Sequence, residues 1–174
     1  PLANLRALRY LSLRNNYILS VGDLVGGRTI DDGDWHTGTF DYENCYVETE
    51  RWHRNINPVD SAYLGDYSFV SAGTDSTATW YFTDLPAGEY ELFVTWHEHA
   101  DQASNAVYNL PDLGESFEFN QKFAPTGPTY NGRPWESLGV FSPQGDGSLT
   151  VSLSGALADG TLVADGVMVL SVAP

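Results

Sequence analysis

Residues 77–98 read TATWYFTDLPAGEYELFVTWHE, and the fold is decided here. Thr77 to Phe82 is β-branched and aromatic, a composition that fits a pleated, half-buried surface. Asp84-Leu85-Pro86-Ala87-Gly88 follows as a turn cluster, with Pro86 fixing φ and Gly88 free to take a positive φ. Beyond Glu89 the chain alternates, with Tyr90, Leu92, Val94 and Trp96 on one face and Glu91, Phe93, Thr95 and His97 on the other. A period of two marks an antiparallel strand with one buried face, and the turn predicts a hairpin. Ala78, Trp80 and Phe82 share a face of the first strand and can meet the Tyr90–Trp96 face in a core. That pairing of faces is the seed of a sandwich.

Working outward, the same signals recur. Arg28–Asp34 reads as a short strand running into an acidic turn, and further short strands are expected at Tyr67–Ser71, Ala106–Leu110, Glu115–Gln121, Ser137–Phe141, Leu149–Leu153 and Leu162–Val172, separated by Gly, Pro and Asp turns. Residues 41–66 read as irregular. Many short strands without a convincing helix predict an all-β protein, an antiparallel, jelly-roll-like β-sandwich with a short N-terminal appendage.

The appendage has its own pattern. Leu5, Leu8, Leu11, Leu13, Asn16 and Ile18 fit one turn of a leucine-rich repeat. A lone repeat cannot cover its apolar face, so Leu5, Leu8, Leu11, Leu13 and Ile18 are candidates for an assembly surface, against preceding repeats or a second copy. The expected division is a repeat-like arm at 1–24, a glycine linker at 25–27 and the sandwich at 28–174. The start at Pro1 suggests a processed or partial chain.

Charge narrows the partners. Eight basic residues face 23 acidic ones, a net charge of −15, which disfavours nucleic acid and anionic membranes. Residues 1–30 carry four arginines against the single Asp23, so an acidic body follows a basic head. No apolar run approaches the roughly 20 residues of a membrane-spanning helix. Cys45 stands alone and excludes an internal disulfide framework.

Several motifs taken in order carry a resemblance. They are Ile30-Asp31-Asp32-Gly33, Tyr63-Leu64-Gly65-Asp66-Tyr67, Ala78-x-Trp80, and Leu85-x-x-Gly88-x-Tyr90-x-Leu92-x-Val94-x-Trp96. Ser104-Asn105-Ala106-x-Tyr108, Asn120-Gln121, Trp135-x-x-Leu138-Gly139-x-Phe141 and Val163-Ala164-Asp165-Gly166-Val167 complete the series. Over about residues 28–172 the chain resembles the golvesin/xanthan-lyase carbohydrate-binding-like domain. The resemblance implies a non-catalytic β-sandwich module of a larger secreted or cell-surface bacterial protein. It departs in an insertion at 36–62 and in Gly166, where the family usually has alanine, a change expected to matter little to packing.

Three constellations could carry chemistry. Trp35, Trp52, Tyr130 and Trp135 lie in loops and are candidates for a surface platform that stacks on sugar rings. Asp31, Asp32, Asp34 and Asp165 offer the hard oxygen ligands of a structural calcium site, although nothing has EF-hand spacing. His97-x-His99 with Asp101 resembles a metal pair but lacks a further downstream histidine, and reads as an exposed strand-end loop. No nucleophile elbow, Cys/His pairing or phosphate loop is present, so no enzyme is expected. The expected function is glycan binding or adhesion outside the cell. The alternative is a structural subunit of an extracellular filament or array, assembled head to tail through residues 1–24. The expected partners are accordingly a glycan, or other modules and copies of the same chain.

Overall fold

The computed structural model describes residues 27–32, 46–49, 51–55 and 57–172. The repeat-like arm with Leu5, Leu8, Leu11, Leu13 and Ile18 lies outside the described residues, as do Trp35 and Asp34. Fourteen short strands and one 3-10 turn (Tyr63–Gly65) make up the described part, which contains no α-helix.

Two antiparallel sheets form the sandwich. One has the order β1 (Gly27–Ile30), β14 (Val167–Ser171), β6 (Tyr90–Val94), β11 (Glu136–Phe141). The other has the order β2 (Tyr46–Glu48), β5 (Thr77–Phe82), β12 (Leu149–Ser154), β7 (Ala106–Leu110), β8 (Glu115–Phe119). A three-stranded sheet, β13 (Leu162–Ala164), β4 (Tyr67–Val70) and β3 (His53–Asn55), joins the first through the continuous run from β13 into β14. A small hairpin, β9 (Thr129–Tyr130) with β10 (Arg133–Pro134), closes one side. Gly27, placed in the linker from sequence, is the first residue of β1 and pairs with Leu170.

The inward faces meet as their alternation predicts. Ala78, Trp80 and Phe82 from β5 bury against Tyr90, Leu92, Val94 and Trp96, together with Val151, Leu153 and Val169. Trp80 is completely buried and packs on Tyr46 with ring centroids 5.2 Å apart. Each such side chain contributes about 1.5–3 kcal/mol by leaving water.

The expected hairpin is not one. β5 pairs with β2 and β12, whereas β6 pairs with β11 and β14, so the segment between them crosses from one sheet to the other. The reason is geometric. Hairpin partners lie side by side and turn their apolar faces the same way, while strands on opposed sheets cover each other across a gap of about 10 Å. The turn cluster is long enough to span that gap, and Leu85 N–H is anchored on Gly147 O at 2.9 Å.

A second difference concerns the outer face of β6. Phe93 and Thr95 are buried, not solvated. Phe93, Met168, Tyr63 and Trp135 form a separate apolar cluster over the outside of the β1-β14-β6-β11 sheet, capped by Tyr130 and Leu170. Residues 41–66, expected to be irregular, contribute β2, β3 and the Tyr63 turn. The chain between Ala164 and Val167 kinks at Asp165-Gly166, where it leaves β4 for β6.

Gly166 is tightly enclosed. A Cβ placed there would lie 2.9 Å from Trp135 Cη2, and 3.2 Å from both Thr95 and Tyr63. The glycine is therefore a packing requirement, correcting the minor role expected of it. Gly166→Ala should lower the denaturant midpoint by the equivalent of about 1–3 kcal/mol, the usual effect of overpacking a filled site. An unchanged midpoint would show that the indole has room to move.

Candidate functional site

Strand β4 presents different chemistry on its two faces. Ser68 and Val70 point inward and are buried, while Tyr67 and Phe69 are half-buried on the other face.

Behind the inward face lies an acidic cluster. Asp31 and Asp32 follow β1 directly, and Asp165 occupies the kink between β13 and β14. One carboxylate oxygen from each lies within 4.8 Å of the others. Asp32 and Asp165 are fully buried, and Asp31 is partly exposed at the edge. Asp165 accepts the Tyr63 backbone N–H at 3.1 Å on Oδ1 and 3.2 Å on Oδ2. The buried Ser68 hydroxyl lies between the Asp32 carboxyl and the Tyr46 hydroxyl, within reach of both. Burial is the main cause pushing the Asp32 carboxyl well above the usual carboxylate range; Ser68 and Arg54 oppose the rise, and Asp66 and Glu48 add to it. Burial likewise pushes Asp165 up, followed by the charge of Asp32, against the Tyr63 N–H and Arg133.

In front of β4 runs a groove of about 210 Å³ lined by Tyr67, Phe69, His99, Asp101, Gln102 and Thr161, with Val163 at its floor. Its two aromatic lining residues, Tyr67 and Phe69, belong to a longer row of rings. His53 lies opposite Phe69 with centroids 5.6 Å apart, Phe69 neighbours Tyr67 at 6.2 Å, and Tyr67 stacks on His97 at 4.9 Å. His97 is held by a hydrogen bond to Ser61, and burial lowers its pKa below the ordinary histidine range. His99 Nδ1 stands 3.6 Å from Asp101 Oδ2. Gln102 bridges to Thr161, which fixes the opposite bank, and its buried side-chain oxygen has no partner.

Among the described residues, Trp52, Tyr130 and Trp135 are not gathered on one exposed face. Trp135 is completely buried, edge-on to Tyr63 at 5.2 Å, and its indole N–H donates to Tyr130 O at 3.2 Å. Tyr130 is half-buried against Phe93. Trp52 packs on the main core, in a different cluster from the other two. These rings staple loops to the sandwich because covering apolar sheet faces returns more free energy than exposure. Tyr67 and Phe69 were read only as strand residues. Their signal was the alternation Tyr67-x-Phe69 beside the polar run His97-x-His99-x-Asp101.

With this geometry in view, comparison with known proteins is informative. The Golvesin C-terminal domain family matches residues 36–171. The chain belongs to this family. The golvesin-type fold also appears in solved structures. The Paenibacillus xanthan lyase superimposes with a TM-score of 0.66 at 20% identity, over 86% of this chain and 13% of that enzyme. The Podospora anserina GH26-CBM35 β-(1,4)-mannanase superimposes with a TM-score of 0.55 at 14% identity, over 86% of this chain and 28% of the other. This golvesin-type chain thus spans a small part of either enzyme. No curated protein sequence matches it. The repeat-like pattern at 1–24 lies outside the family match.

Proposed function

We propose that this golvesin-type domain is a non-catalytic, extracellular glycan-binding module of a larger bacterial protein, and that it binds sugar in the groove over β4. The observation that carries the reading is the row of half-buried rings, Tyr67 and Phe69, facing the polar bank of His99, Asp101, Gln102 and Thr161. Pyranose rings present apolar C–H faces to aromatic rings and hydroxyls to fixed polar groups, and the groove supplies both. Support also comes from family membership and from two structural neighbours that are parts of enzymes named for polysaccharides. Among the described residues, no helix is long and apolar enough to cross a membrane. Asp101 is the one carboxylate lining the groove, and it suits hydroxyl binding; glycoside hydrolysis ordinarily takes two. With a net charge of −15 and Asp101 at the rim, neutral sugars are favoured over uronate-bearing ones.

The test is a glycan array followed by calorimetric titration of a neutral oligosaccharide hit. Tyr67→Ala and Asp101→Ala should each weaken binding at least tenfold, with the melting temperature of Asp101→Ala unchanged. Binding unaffected by both substitutions, or no sugar response at millimolar concentration, would overturn the reading.

A further inference from the structure

We propose that the groove over β4 selects a glycan built of amino sugars, with Asp101 and the side-chain oxygen of Gln102 receiving the sugar's ammonium group. This rests on the glycan reading above and narrows it from sugars in general to cationic hexosamines.

The polar bank is rich in acceptors. None of the residues lining the groove is lysine or arginine, and Asp101 brings a carboxylate whose side chain is 86% exposed. The chain as a whole carries a net charge of −15, so the field over the groove favours a cation. Thr161 N–H donates to Asp101 O at 3.1 Å and Ala103 N–H to Thr161 O at 2.8 Å, which holds Asp101 and Gln102 in place. His99 Nδ1 accepts the Asp101 backbone N–H at 3.3 Å, and in the neutral imidazole this leaves Nε2–H to donate to a ring hydroxyl. On the other side, Tyr67 and Phe69 are half-buried rings on whose faces an ammonium and the C–H face of its sugar both pack.

A second observation is independent of charge. Gln102 is only 3% exposed, and its side-chain oxygen is buried with no hydrogen-bond partner. Buried polar atoms nearly always have one, so an acceptor left open in the wall of a groove is set for a donor that arrives with the ligand. Hydroxyl and ammonium groups both donate, but only the ammonium satisfies Gln102 and neutralises Asp101 together. An ion pair with the exposed Asp101 would by itself change affinity only a few-fold. The charge-assisted bond to the buried Gln102 oxygen is the stronger contact. A ligand lacking a donor at that point strands the oxygen, which is how such a site discriminates.

Three hexasaccharides with one β-1,4-linked backbone test this, because they differ only at C2: cellohexaose carries a hydroxyl, the N-acetylglucosamine hexamer an acetamide, and the glucosamine hexamer an ammonium. Titrated calorimetrically into the full chain at neutral pH and low salt, the glucosamine hexamer should bind roughly tenfold more tightly than cellohexaose. Raising the salt should narrow that difference. Gln102→Leu and Asp101→Asn should each cut the ratio of the two affinities about threefold or more. Asp101 is exposed, so its variant keeps the test in force should the buried Gln102→Leu fail to fold. Cellohexaose or the acetamide hexamer binding as tightly as the amine would overturn the selection while leaving the groove a sugar site. Pentalysine competing as well as the glucosamine hexamer would overturn it too, and would assign the groove to a basic peptide. Binding of some other neutral glycan but none of the three would overturn the amino-sugar inference without touching the glycan reading. Silence across the whole array would overturn the glycan reading itself.

Discussion

Trp135→Ala is expected to destabilise the domain by about 3–5 kcal/mol while leaving the groove intact. The indole is completely buried between Tyr63, Phe93 and Met168, on the outer side of the sheet that β6 helps to build. Its removal loses the transfer free energy of the ring and leaves a void that the flat sheet beneath cannot collapse to fill. It also removes the N–H bond to Tyr130 O, which holds the β9–β10 hairpin in place. For a chain of this size the loss corresponds to roughly 10 °C in melting temperature. Urea unfolding should show a lower midpoint at an unchanged slope, the sign of lost stability without a changed denatured state. Titration below the new melting temperature should find sugar affinity retained, since Tyr67 and Asp101 belong to another part of the surface. A midpoint within about 0.5 kcal/mol of the parent, the range of ordinary surface substitutions, would contradict the packing described here.

Gln121→Leu should cost nearly as much, for a different reason. Gln121 is fully buried, and its amide takes the place of a missing strand beside β13. Its oxygen accepts Val163 N–H at 2.9 Å, and its nitrogen donates to Val163 O at 2.8 Å and to the Tyr108 hydroxyl at 3.3 Å. Leucine fills a similar volume but leaves the Val163 N–H and C=O buried without these partners, at about 1–3 kcal/mol for each group. The expected loss is therefore about 2–5 kcal/mol, read from chemical denaturation. Gln121→Glu adds a signed control. The carboxylate still accepts from Val163 N–H but cannot donate to Val163 O, so the variant should be weakest at neutral pH. It should regain stability as pH falls and the carboxyl takes up a proton. A variant whose stability does not rise on acidification relative to the parent would argue against the amide's bridging role.

These two residues also mark how far the sequence could be read. The inner face of β6 was legible because Tyr90, Leu92, Val94 and Trp96 recur with period two, and that periodicity is a local property. The burial of Phe93 and Thr95 was not, since it depends on Trp135 and Tyr63 arriving from distant segments. The turn at Asp84–Gly88 carries the same chemistry whether the chain doubles back or crosses to the opposite sheet, so a hairpin and a crossing look alike. β2 and β3 are three residues each, too short to show a period. The acidic turn at Asp31-Asp32 and the later Asp165 could be linked on chemical grounds, as groups able to share an ion. The groove could not, because Tyr67 and Phe69 come from one strand while Asp101 and Gln102 meet Thr161 only through a tertiary bridge. Trp135 was not legible as a buried residue, because a large ring in an irregular segment covers an open sheet face as readily as it meets a ligand.

The pairing of β1 with β14 has a mechanical consequence. Gly27 opposes Leu170 and Ile30 opposes Val167, so the chain enters and leaves the sandwich at the same end of one antiparallel ladder. Tension carried along the polypeptide through this domain would not shear the rungs together. It would peel them singly, beginning at Gly27, and the last rung before release is Ile30, next to Asp31 and Asp32. Such a module yields at low force up to that point, and the tear then meets the buried cluster of Asp31, Asp32 and Asp165.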